Sequence, residues 1–158
     1  MTQAVKTIFL YEAVTAPLKY AIIPIIDKRL GATTSFNGVK YIPTSEFKEH
    51  RRDVLLVLGI TCLAAPTIEE CIFRGVLPAI ITYTTGCPEE LSLIISGVAF
   101  SAFHYTNRQS IADAMCQLSD SYFVYNPLKL AGGLTSSITA HAMHNLIHCL
   151  PMLKRTFF

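Results

Sequence analysis

Three short stretches carry side chains whose types and spacing suit hydrolysis. The first is Glu69-Glu70-Cys-Ile-Phe-Arg74, inside a long apolar run. Glu70 and Arg74 are four apart, so on a helix they share a face and can pair, each neutralising the other. Glu69 lies about 100° further round that helix. It points at a different neighbour, and its segment holds no second cation for it. A carboxylate so placed suits a general base or acid; it equally suits a hydrogen bond to another helix. The second stretch is Phe100-Ser-Ala-Phe-His104, where an imidazole ends an apolar helix. His104 reads either as a proton-transfer group or as a satisfied packing histidine. The third is His141-Ala-Met-His144-Asn145. His141 and Asn145 are four apart on one face, where two donors can stabilise a tetrahedral oxyanion or clamp two helices together.

The same residues leave metal chemistry open. Glu69, His104 and His141 form a reasonable zinc set of three N/O ligands plus water. His144 and His148 also have ligand spacing, but no HExxH is present and Asn145 stands where its glutamate would be. Five scattered cysteines, Cys62, Cys71, Cys87, Cys116 and Cys149, form no C-x-x-C pair and suggest neither a disulfide framework nor a cysteine zinc site. No Ser-His-Asp or Cys-His set stands out.

These groups need elements to hold them, and composition says which. Apolar residues make up 51% of the 158, charged residues only 15%, and mean hydropathy is +0.42. Soluble domains carry about 25% charged residues, so lipid is the expected solvent. A net charge of +2 without a basic, aromatic-interleaved stripe excludes nucleic acid as a partner. No signal peptide is evident.

The chain divides into a region 1–53, with an apolar helix over 7–26 and a basic polar loop over 27–53, a helical core over 54–150, and a short tail over 151–158. Arg51-Arg52 beside an apolar run puts the loop on the cytoplasmic side by the positive-inside rule. Residues 54–85 exceed one crossing of a ~30 Å hydrocarbon core, with a kink expected at Pro66 and a fresh helix start near Thr67. Gly86-Cys87-Pro88 breaks the run. Residues 91–103 are apolar, 105–122 amphipathic, Asn126-Pro127 a turn, and 128–150 a last helix rich in small residues. No stretch demands a strand. The expected architecture is all-α, a multi-helix transmembrane bundle with a polar intramembrane cavity.

Glu69-Glu70-x-x-x-Arg74, Phe100-x-x-x-His104 and His141-x-x-x-Asn145 together resemble the EExxxR, FxxxH and HxxxN motifs of the CAAX-protease and bacteriocin-processing (CPBP or Abi) family of intramembrane endopeptidases, in order and approximate separation. The resemblance covers roughly residues 55–147. It implies that Glu69 and His104 activate a water, that His141 and Asn145 form the oxyanion hole, and that Glu70 with Arg74 holds the site. It also implies an integral, multi-pass membrane protein acting on a peptide or protein substrate among membrane lipid. A glutamate-dependent mechanism without a cofactor is the favoured chemistry. A zinc-dependent membrane hydrolase and a non-catalytic scaffold or bacteriocin-immunity-like protein are the alternatives.

Overall fold

The computed structural model describes residues 51–108 and 111–157. The apolar segment 7–26 and most of the polar loop, 27–50, lie outside the described residues. Within them every element is helical and no strand occurs.

The first rod runs unbroken as α1 (Arg51–Gly59), a π turn (Ile60–Ala64), α2 (Ala65–Glu70), a second π turn (Cys71–Val76) and α3 (Leu77–Thr85). Arg51 to Asp53, at the end of the region expected to be loop, are already helical. Nor does the chain restart near Thr67, since Ala64 and Ala65 both keep right-handed helical dihedrals. The reason is local. A proline in a helix removes one N–H and drives its ring at the carbonyl four residues back. Widening the preceding turn to i→i−5 moves that carbonyl away. Ala65 N–H duly bonds the Ile60 carbonyl just before Pro66, and Leu77 N–H bonds that of Ile72 just before Pro78. Pro66 is thus accommodated by a π turn within continuous helix.

Within this rod Val54–Thr85 is long and apolar enough to cross a membrane, the one described helix that is, yet only 17% of its most apolar window is buried. Leu55, Leu56, Leu63, Ile68 and Val76 are all more than half exposed. A soluble core helix would bury such side chains; a row of them left outside is the kind of apolar surface that lipid or another protein covers.

The rod ends at Gly86, whose left-handed φ of 71° ends the helix while its N–H bonds the Thr82 carbonyl at 2.8 Å. The chain reverses into α4 (Glu89–Arg108), which carries Glu89 and Glu90 in its first turn, where the helix dipole favours acids. It packs back along the first rod: the Thr82 and Ser92 hydroxyls bond at 2.7 Å, and Ser96 donates to the Phe73 carbonyl. Next, α5 (Ile111–Asp120) returns along α4, with Ser101 donating to the Ala114 carbonyl. Gly97 allows the approach, because a Cβ there would stand 3.2 Å from that of Ser121.

A third π turn (Ser121–Tyr125) leads into α6 (Asn126–Phe157). The turn expected at Asn126-Pro127 is absent: Asn126 is helical at φ −64°, ψ −48°, Pro127 again following a π turn. The reversal comes at Gly133 instead, at φ 75°, ψ −177°, a region open essentially to glycine alone. Beyond it the chain doubles back, so that Ser137 donates to the Tyr125 carbonyl at 3.3 Å. The last stretch of α6 then runs antiparallel to the first rod and continues past residue 150, with Cys149 and Leu153 packed on Val54, Leu58 and Cys62.

Candidate active site

The site forms where the middle of the first rod meets the returning part of α6. On α6 the residues Ser137, His141, Asn145 and Cys149 recur every fourth position and make one stripe. Ser137 and His141 meet Glu70, Asn145 meets Thr61, and Cys149 meets Cys62.

Glu70 is the hub. Its carboxylate is fully buried, and three groups hold it. The His141 Nδ1 lies 2.9 Å from one oxygen, and Arg74 Nη1 lies 3.1 Å from the same oxygen. The Ser137 hydroxyl donates to the other. A buried carboxylate is stable only when paired and hydrogen-bonded, and this one is served from both its own helix and α6.

Arg74 is equally buried. Besides pairing with Glu70 it donates to the Ser121 hydroxyl of the third π turn. Among the described residues neither its Nε nor its Nη1 has a hydrogen-bond acceptor, the contact of Nη1 with Glu70 being an ion pair. The guanidinium instead lies 4.4 Å from the Phe100 ring centroid and 5.1 Å from that of Tyr125, and such faces attract a planar cation. Tyr125 also stacks on His141 at 4.7 Å and 21°, which fixes the plane of the imidazole.

Held in this way, His141 turns its second nitrogen toward Glu69: Nε2 stands 3.6 Å from the Glu69 carboxylate, whose side chain keeps 23% exposure. The imidazole thus lies between two carboxylates, one sealed and one accessible. His104 Nδ1 lies 3.0 Å from the Phe100 carbonyl of its own helix. Its ring is 4.3 Å from that of Phe100, which in turn meets His141 edge-on at 5.9 Å. Asn145 Nδ2 donates to the Thr61 carbonyl at 2.9 Å, the next turn of the same interface. The structure therefore brings Glu69, Glu70, Arg74 and His141 into direct contact. It sets His104 across the Phe100 ring and Asn145 one helical turn along.

Sequence reasoning did not find Ser137, Tyr125, Ser121 or Asp120. Ser137 was visible in principle, one turn before His141 on the same face. Tyr125, Ser121 and Asp120 come from the third π turn and the end of α5, and no local spacing in the sequence shows that these meet Arg74 and α6. Asp120 is buried and lies 3.9 Å from His144 Nε2, whose ring is 4.5 Å from that of His148, so this pair faces α5. Among the described residues no group of three or more His, Cys, Asp or Glu side chains is arranged to hold a metal ion.

A separate groove of about 320 Å³ runs between α4 and the third π turn, lined by Leu93, Ile94, Tyr122, Phe123 and neighbours, and includes none of these residues. No curated protein and no solved structure matches the chain. The family model described as type II CAAX prenyl endopeptidase Rce1-like matches residues 51–147, which is more than half of the chain and holds the whole polar cluster, the apolar rod and all three motifs. The family is one of membrane-embedded proteases, and the chain belongs to it.

Proposed function

We propose that the protein is an intramembrane endopeptidase that hydrolyses a peptide bond with water activated by Glu69 and His104. His141 and Asn145 stabilise the tetrahedral oxygen. The observation that carries this reading is the placement of the Glu69 carboxylate, turned inward to 3.6 Å from His141 Nε2 while remaining accessible. A carboxylate facing lipid would have had no such role.

The steps balance without a covalent intermediate. With His104 orienting the water by a hydrogen bond, Glu69 takes a proton from it as the water oxygen attacks the scissile carbonyl carbon. The carbonyl oxygen becomes an oxyanion. Glu69 then returns the proton to the amide nitrogen as the C–N bond breaks. His141 gives its Nδ1–H to Glu70, so it serves the oxyanion only through an Nε2 that also carries a proton; the imidazolium supplies donors on both nitrogens. Glu70, pinned by Arg74 and Ser137, holds that ring and its charge. The Asn145 amide has two N–H groups, one given to Thr61 and one left for the substrate.

The test is cleavage of a membrane-delivered peptide by purified protein in detergent. Glu69→Gln, nearly isosteric, is expected to lower kcat by ~10²–10⁴-fold with the fold intact, the range of acid–base contributions. His104→Ala is expected to fall in the same range. A strong zinc chelator is expected to leave the rate unchanged. Full activity in Glu69→Gln eliminates the mechanism, and activity lost to the chelator and restored by zinc replaces it with a metal-dependent one.

A further inference from the structure

The side chain that meets Thr61 does so because of a proline. In the first π turn Ala65 N–H reaches five residues back to Ile60. The next donor in that register would be residue 66, reaching Thr61. Residue 66 is proline and has no N–H, so the Thr61 carbonyl receives no backbone donor in that register. Asn145 Nδ2 takes the vacant place at 2.9 Å. The second π turn repeats the pattern. Leu77 N–H reaches Ile72, Pro78 follows, and the carbonyl five before it, that of Phe73, accepts the Ser96 hydroxyl. Twice in one rod, a proline after a π turn strands a carbonyl and a side chain from a neighbouring rod caps it. Buried carbonyls are satisfied almost without exception, so each stranded carbonyl is a fixed docking point.

We propose that Pro66 is a positioning residue for hydrolysis: by withholding an N–H it reserves the Thr61 carbonyl for Asn145. One hydrogen bond to Thr61 fixes the plane of that amide and leaves its second N–H for the oxyanion. This rests on the oxyanion role proposed above for Asn145. Pro66→Ala supplies the missing donor, which competes with Asn145 for the carbonyl and releases the amide.

The experiment is a double-mutant cycle on kcat and KM. Asn145→Ala is expected to lower kcat by ~10²–10³-fold, the loss seen on removing an oxyanion donor. Pro66→Ala is expected to lower kcat by about tenfold with KM little changed, since it loosens a donor without removing it. The two together are expected to equal Asn145→Ala alone. Multiplying losses overturn the role of Pro66 but leave that of Asn145 standing. Unchanged kcat in Asn145→Ala overturns both.

A second measurement does not need activity. Thr61-Cys62 is the one Thr-Cys pair in the sequence, so ¹³C-carbonyl threonine with ¹⁵N cysteine yields a single filtered carbonyl resonance. Asn145→Ala is expected to shift that resonance upfield in the wild-type background and to leave it in place in Pro66→Ala. If Pro66→Ala does not fold, the comparison of wild type with Asn145→Ala decides: an unmoved resonance overturns the proposal.

Discussion

At the scale of single residues, the cluster depends on one buried charge pair. Glu70 and Arg74 are both sealed from solvent 3.1 Å apart. Removing one partner strands the other, a loss of about 3–5 kcal/mol. Glu70→Leu and Arg74→Met are each expected to destabilise the protein by that order. The double variant is expected to be more stable than either single one, because neither member of the pair is left buried without the other. Thermal unfolding in detergent reads this, and additive losses would mean that the two do not act as a pair. Activity is expected to be lost in all three, because His141 loses its anchor. The pair itself was legible in the sequence, since i,i+4 spacing needs only the knowledge that the segment is helical. The partners of the pair were not. Ser137 and His141 lie 67 and 71 positions from Glu70, and no local periodicity reports which face of one helix meets which face of another.

At the scale of elements, prolines and glycines divide the work differently from what their types suggest. Pro66 and Pro127 read as a kink and a turn, yet both continue a helix, because each follows a π turn that moves the opposing carbonyl aside. That accommodation is a property of the whole turn, so a residue-by-residue reading places breaks where none occur. The reversal falls on Gly133, in a stretch whose small residues read as helix-packing positions. Two glycines then make opposite predictions. Gly133→Ala forces a side chain into φ 75°, ψ −177° and is expected to cost about 1–3 kcal/mol, along with the alignment of Ser137 with Glu70. Gly59 is helical at φ −58°, ψ −44°, and a Cβ there meets nothing within 4 Å. Gly59→Ala is therefore expected to stabilise by about 0.5–1 kcal/mol. Unfolding midpoints that move the same way in both variants would contradict this assignment of the turn.

At the scale of the whole molecule, the two glutamates sit at the centre of the apolar span. Val54–Thr85 places fifteen residues, 54–68, before Glu69 and fifteen, 71–85, after Glu70. At 1.5 Å per residue that is about 22 Å of helix on either side, so a rod crossing a ~30 Å core is expected to hold the glutamates near half depth. Depth is measurable with thiols. Cys87 lies just past the end of the span, where hydrogen bonds from the Ser92 and Thr85 hydroxyls hold its thiol below the usual cysteine range. A lower pKa means more thiolate at a given pH, so its alkylation is expected to rise at a lower pH than that of a free thiol. Ser92→Ala is expected to move the rise upward. Ile68 is exposed beside the glutamates, on the apolar outer side of the same rod. In sealed vesicles, a variant keeping Cys87 alone is expected to react with a membrane-impermeant maleimide applied to one side. Ile68→Cys in a background without other cysteines is expected to react with it from neither side until detergent is added. Equal labelling of both positions from one side would place the rod on the membrane surface, with Glu69 in bulk water. The buried charges would then have a soluble core to explain them, and the exposed apolar surface of the first rod would need a protein partner.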